Sequence, residues 1–367
     1  MKWSIRVGRL FGIPLFIHVT FFLFLAWIGA MSWRHGNGMQ DALENIVFIC
    51  TLFGCVVLHE LGHALTARRY GIPTRDITLL PIGGVARLDR MPDDPRQELW
   101  VALAGPAVNV VIAVALFFVH SVSSLSSLGD TGIESLVRGS FLSRVMAVNI
   151  FLVLFNMLPA FPMDGGRVLR ALLATRLEYT RATHIAAVVG QSMALLFGLG
   201  GLLPGGNPML LFIALFVWIG AAQESGMTQM RYSLAGIPVS RAMVTEFHTL
   251  KPGDTLADAV ELTLKGTQRD FPVVDGEHVV GVLRQSDMLA SLSRQGAQVR
   301  VTDVMHTDFE IVQASEMLDA AFHRLNARRC STAPVAFQGR LVGLLTTDNV
   351  GEFLAIQGAL GRPRRIV

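Results

Sequence analysis

"FGCVVLHELGHALTARRYG", residues 53–71, runs an apolar stretch straight into His-Glu-x-x-His and ends on a pair of arginines. Residues four apart lie on one face of a helix, so His59 and His63 can grip one ion, with Glu60 beside them. Such groups are expensive in lipid unless they pair or bind a cation. The stretch therefore predicts two things together, a membrane helix and a polar site built into it.

Composition supports the first. Of 367 residues 51% are hydrophobic and only 16% charged, with mean hydropathy +0.48; soluble domains carry about 25% charge. A span needs about 20 apolar residues, and candidates fall at roughly 14–32, 45–67, 98–120, 143–161, 184–203 and 208–225. Arginines crowd alternate loops: Arg68, Arg69, Arg75, Arg87, Arg90 and Arg96 after the second candidate, then Arg167, Arg170, Arg176 and Arg181 after the fourth. The opposite loops hold little beyond Arg34, Arg138 and Arg144. The positive-inside rule then places both termini in the cytoplasm around six spans. The basic start and long apolar run lack a small-residue cleavage site, so the N-terminus reads as a retained helix, not a signal peptide. Cys50, Cys55 and Cys330 form no metal-type cluster and read as reduced packing residues. The net charge of +3 includes no basic run of the kind nucleic acid requires.

Between the second and third spans, "RDITLLPIGGVARLD" (75–89) is too short to cross and alternates loosely around Gly83-Gly84. It reads as a hairpin or two short strands at the membrane surface, or as an amphipathic connector; an exposed strand edge there would suit an extended peptide. After about residue 236 the composition becomes that of a soluble α/β domain carrying a repeat. An offset of 62 relates Met243 to Met305, Phe247 to Phe309, Leu256 to Leu318, Pro272 to Pro334 and Gly281 to Gly343. Each copy reads as helix, strand, strand, helix. The divisions are 1–230, 231–297, 298–360 and a basic tail, 361–367.

A hydrolytic zinc site wants three protein ligands. The third is offered by "NMLPAFPMDGGRVLRALL" (156–173), where Asp164 ends an apolar segment. Pro159 and Pro162 interrupt the helix before it, and Gly165-Gly166 permits close backbone approach. Counting about 1.5 Å per residue back from Arg68, the ion lies on the order of 10–15 Å below the cytoplasmic surface. Glu60 is the candidate general base, and His18 reads as a packed or hydrogen-bonded core histidine.

"HELGH" (59–63), "GPAVN" (105–109) and "NMLPAFPMDGG" (156–166), in that order, resemble the motifs of the site-2 proteases, intramembrane zinc metalloproteases. The "LLPIGGVARL" segment is similar to that family's membrane-embedded sheet, and the repeat resembles a pair of CBS motifs. The resemblance implies a polytopic helical membrane protein with a small membrane-associated β-sheet and a cytoplasmic α/β CBS-pair domain. It implies His59, His63 and Asp164 as ligands of one Zn2+, Glu60 as catalytic acid/base and Asn156 as a residue that positions substrate or the transition state. Asn109 matches a motif position open to a packing or a substrate role, and Ile82, Gly83 and Gly84 would lie along the substrate. The implied setting is a prokaryotic plasma membrane, the implied substrate a membrane protein with a transmembrane helix. CBS pairs sense ATP or AMP through Gly-x-x-Ser/Thr-x-x-Asp, and each copy here is incomplete: Arg284 with Asp287 in the first, Thr346 with Asn349 in the second. A structural or dimerising role for the pair is the alternative. A channel or transporter with a CBS regulator would spread polar groups along a path, whereas here they converge on one point.

Overall fold

The computed structural model describes residues 3–35, 38–81, 83–92, 94–124, 140–328 and 330–360, and the chain divides into two compact units, Met1–Thr228 and Gln229–Val367. Arg138, Ile82 and the 361–367 tail lie outside the described residues.

The first unit begins with strands, which corrects the expected first span. β1 (Ser4–Leu10) and β2 (Ile13–His18) form an antiparallel hairpin joined by Phe11-Gly12, both at positive φ (51° and 88°). Two residues at positive φ make the turn that matches strand twist, so the apolar run 13–18 enters a sheet. The helix α1 (Val19–His35) starts only at Val19. β2 pairs parallel to β3 (Thr74–Leu80), which pairs antiparallel to β4 (Gly83–Leu88), giving the order β1-β2-β3-β4. The hairpin expected over 75–89 is thus half of a four-stranded sheet, with β4 at its edge.

The helices are α2 (Met39–Arg69), α3 (Pro95–Ser124), α4 (Phe141–Asn156), α5 (Asp164–Ala174), α6 (Tyr179–Leu202) and α7 (Met209–Leu234). Among the described residues α2, α3, α6 and α7 are long and apolar enough to cross a membrane. α1 and α4 are apolar but have 17 and 16 residues, about 25 Å of helix against a hydrocarbon core of about 30 Å. The fourth candidate span extends to 161, but its helix stops at Asn156, before Pro159. Large apolar side chains such as Val111, Phe118, Leu196 and Phe212 point outward from the long helices, the surface that lipid solvates. His18 ends β2 with its Nδ1 2.7 Å from Thr20 Oγ1. The three cysteines are free, Cys55 buried and Cys50 exposed.

The second unit carries the repeat as α8 (Leu256–Lys265), β5 (Phe271–Asp275), β6 (His278–Leu283) and α9 (Gln285–Gln295), then the two-residue β7 (Val312–Gln313), α10 (Leu318–Arg328), β8 (Thr332–Phe337), β9 (Arg340–Thr346) and α11 (Thr347–Ala359). Its two cores cross the repeat boundary. Val239 and Ala242 pack with Val312, Leu318, Leu345 and Val350, while Val301 packs with Leu250, Leu256, Phe271 and Leu283. Val244 bridges to Leu344 and His306 to Val282. Each copy's lead-in segment therefore completes the other copy's sheet. The division read at 297/298 follows the sequence repeat but cuts through the packing.

Candidate metal centre and nucleotide cleft

α2 and α3 run close enough to build a site because small residues meet at their crossing. A Cβ on Gly62 would come within 2.7 Å of the Ala104 carbonyl oxygen, and one on Gly105 would press on both imidazoles. The third component arrives on α5, whose first residue is Asp164. Gly165 and Gly166 lie against the Met157–Phe161 backbone, where added Cβ atoms would meet Met157 carbonyl carbon at 2.5 Å and Ala160 carbonyl carbon at 2.6 Å. The Pro-broken segment and the two glycines thus let a short helix start inside the helical unit.

The geometry is a triangle. His59 Nε2 and His63 Nε2 are 3.1 Å apart, and Asp164 Oδ2 lies 3.2 Å from the first and 3.1 Å from the second. All three residues are buried. His63 Nδ1 is 2.7 Å from the Val101 carbonyl oxygen, which can only accept, so Nδ1 carries a proton and the neutral imidazole presents its lone pair at Nε2. His59 Nδ1 donates in the same way to Asn109 Oδ1 at 2.9 Å. With both imidazoles neutral, two lone pairs and a carboxylate oxygen converge on one point, an arrangement that a cation within it satisfies. Tetrahedral zinc with bonds of about 2.0–2.1 Å places neighbouring donors about 3.3 Å apart, close to the edges of this triangle. The donor set fits zinc, and three protein donors leave a position for water or substrate. Among the described residues no other group of His, Cys, Asp or Glu is so arranged.

A cavity of about 400 Å³ opens on this triangle, walled by Glu60, Gly84, Ala86, Phe155, Asn156 and Phe216 among others. Glu60 Oε2 accepts from the Ala86 backbone N–H at 3.0 Å, and a Cβ on Gly84 would meet Glu60 Cγ at 2.9 Å. Glycine at 84 is what lets β4 lie across the glutamate. Asn156 ends α4 at the cavity wall. Asn109 is fully buried behind His59, on the side away from the other two ligand atoms, so its contact is with an imidazole and not with the cavity where a substrate role would put it. Spacing gave no hint of the Val101 carbonyl, because a backbone acceptor leaves no mark in side-chain identity.

In the second unit a cleft of about 530 Å³ is lined by Arg284, Thr346 and Asn349, with Asp270 at its floor. Asp270 is buried and accepts from Ser331 Oγ and Thr332 Oγ1 at 2.6 Å and from Gln285 N at 3.0 Å. Asp287 is not on that cleft; it pairs with His306 Nε2 at 2.8 Å. Of the first copy's pair only Arg284 lines this cleft, whereas both Thr346 and Asn349 of the second copy do. Asn349 N donates to Thr346 Oγ1 at 3.0 Å, and its side-chain amide donates to the Ala242 carbonyl.

The model of Peptidase family M50 matches residues 47–139 and 134–197, and that of the CBS domain matches 239–294 and 301–355. The chain is 37% identical over 356 residues to zinc metalloprotease MJ0392 of Methanocaldococcus jannaschii, covering 97% of both. It is 27% identical to stage IV sporulation protein FB of Bacillus subtilis over 184 residues, half of this chain and 56% of that one. Among solved structures it is similar to the site-2 protease from Methanocaldococcus jannaschii, with 42% identity over 61% of this chain and 95% of that one, at a TM-score of 0.44. With three motifs brought to one buried triangle and near end-to-end similarity to a zinc metalloprotease, the chain belongs to peptidase family M50, the site-2 proteases, and carries a CBS domain pair after its membrane unit.

Proposed function

We propose that this zinc metalloprotease cuts within a transmembrane segment of another membrane protein, at the His59–His63–Asp164 centre. The observation that carries the reading is the buried triangle of ligand atoms facing a cavity inside an apolar helical unit. When bound, zinc acidifies a water and polarises a carbonyl. The protein does the rest. Val101 and Asn109 fix the tautomers and directions of the two imidazoles. Glu60, on the wall of the same cavity, takes the proton of the attacking water and returns it to the leaving amine. The Asn156 amide, on the same cavity wall, donates to the carbonyl oxygen as negative charge develops there.

A helical substrate hides its peptide bonds and must unwind, which lipid tolerates only where protein satisfies the freed groups. β4 supplies an edge: it ends the sheet, and its Ala86 N–H points away from β3 towards Glu60. Pairing of the unwound segment with this edge, beside Gly83 and Gly84, brings the scissile bond to the cavity. The arginine distribution supports all six apolar helices crossing, with the CBS pair on the cytoplasmic side. Adenine nucleotide at the Arg284–Thr346–Asn349 cleft is the proposed regulator, with Arg284 meeting phosphate.

Glu60→Gln is the test. Membranes from cells carrying that variant should accumulate uncut membrane stubs, read by terminal-peptide mass spectrometry, while zinc content stays at the wild-type level. Wild-type turnover in Glu60→Gln would sink the assignment.

A further inference from the structure

We propose that Arg170 is a positioning residue for the third metal ligand: by clamping α5 against α3 and α7 it sets where Asp164 sits. The inference rests on reading Asp164 as a ligand.

α5 has 11 residues, too few to hold a helix by themselves. Its place is set by what it is fastened to. One fastening is the pair of glycines next to Asp164. The other is Arg170, six residues and about 9 Å further along the axis. Arg170 is only 1% exposed and is the largest fully buried side chain among the described residues. Its Nε donates to Oε1 of Glu98 on α3 at 2.7 Å, and its Nη1 donates to Oε1 of Glu224 on α7 at 2.5 Å. The guanidinium carbon lies 5.0 Å from the Phe161 ring centroid and 5.1 Å from that of Tyr179, the first residue of α6. One side chain therefore joins α5 to α3, α6, α7 and the Pro-broken segment.

Stability does not account for this outlay. Burying charges costs several kcal/mol per ion, and apolar side chains of the same volume often do as well or better. A planar fork between two carboxylates and two rings adds direction, since it is satisfied in one orientation only. Direction matters here because ligand distances tolerate about 0.2 Å of error. Pivoting α5 by about 3° at Arg170 would move Asp164, about 9 Å away, by about 0.5 Å. None of the partners touches the ligand atoms. Glu224 stands on the helix whose Gly220 packs against Pro162, and a Cβ there would meet Pro162 Cδ at 2.5 Å.

The experiment uses the full chain in detergent. Zinc and cobalt affinities are measured by chelator competition, together with the visible spectrum of the cobalt form and the thermal unfolding of the metal-free protein, for wild type, R170K, R170M, E224Q and D164N. Arg170 variants are expected to bind both metals about tenfold or more weakly, in the range seen for groups behind metal ligands. Their cobalt spectrum should be altered at saturation, and R170K should not rescue it, because lysine has neither fork nor plane. E224Q should shift affinity in the same direction by less. Should R170M not fold, R170K and E224Q carry the test. Wild-type affinity and spectrum in the folded variants would overturn the proposal, as would a loss of metal-free stability with binding unchanged, which marks a purely structural residue. D164N binding metal as tightly as wild type would instead overturn the ligand assignment itself.

Discussion

Gly105→Ala places a single methyl group where the site has least room. The added Cβ falls onto His63 Nε2, and lies 2.6 Å from His63 Cε1 and 2.7 Å from His59 Nε2. Ordinary carbon–nitrogen contact begins near 3.4 Å, so His59 Nε2 has to retreat by about 0.7 Å and His63 by more. Ligand distances tolerate about 0.2 Å, so the displacement is more than three times what a bound ion allows. Overpacking of this kind costs about 1–3 kcal/mol, which a membrane-embedded helical unit can absorb without unfolding. We expect Gly105→Ala to be made and folded but to bind zinc at least ~100-fold more weakly, equivalent to ~2.7 kcal/mol, and to leave its membrane substrates uncut. The matched control is Gly54→Ala, also on a membrane helix, whose Cβ meets nothing within 4 Å; it should keep zinc and activity. Zinc per protein by plasma mass spectrometry, after gel filtration at a fixed chelator concentration, separates the two. Full zinc occupancy and wild-type cleavage in Gly105→Ala would show that the imidazoles are not held where the triangle puts them.

Asn109→Leu removes the acceptor behind His59 while keeping volume, and metal affinity should fall by about 10–100-fold; unchanged affinity in the folded variant would leave Asn109 a packing residue. Calorimetry on the full chain should detect AMP or ATP, with the affinity reduced in Arg284→Met; absence of heat with both removes the nucleotide reading. Arg324 holds Glu316 through two nitrogens, one at 2.7 Å, and those hydrogen bonds keep the Glu316 carboxyl below its usual range. A lowered folded-state value contributes stability above the unfolded value of about 4.3, lost as pH falls through the folded one. Arg324→Met should therefore lower stability at pH 7 by about 1 kcal/mol, with the gap to wild type closing below about pH 4. A gap that persists at low pH in thermal unfolding would show that the arginine acts through packing.

Much of the site was legible because its chemistry is carried by side chains at helical spacing. His59, Glu60 and His63 had to share a helix, and Asp164 announced itself as an acid in an apolar segment bounded by prolines and glycines. The N-terminus misled for a physical reason. "IPLFIH" runs into the apolar "VTFFLFLAWIG" without a glycine or proline at the His18–Val19 junction, so a strand followed by a helix looks like one span. The available signal was Gly12 after Phe11, a hairpin turn inside an alternating stretch. Asn109 and Arg170 were visible as residues but not as contacts, since His59 is 50 residues from Asn109, and Glu98 72 from Arg170. The repeat revealed two copies but not which core each lead-in joins, because the offset is the same whether a segment folds onto its own copy or its neighbour.

That exchange has a consequence for the order in which the chain is made. Val239 and Ala242 leave the ribosome early, yet the surface they pack on includes Leu345 and Val350. The first lead-in has to wait for more than a hundred further residues, while the lobe holding Leu250 to Leu283 closes as soon as Val301 arrives. A nascent chain halted between the copies would hold neither lobe complete. A truncation before residue 345 therefore leaves Val239 and Ala242 without the core they enter.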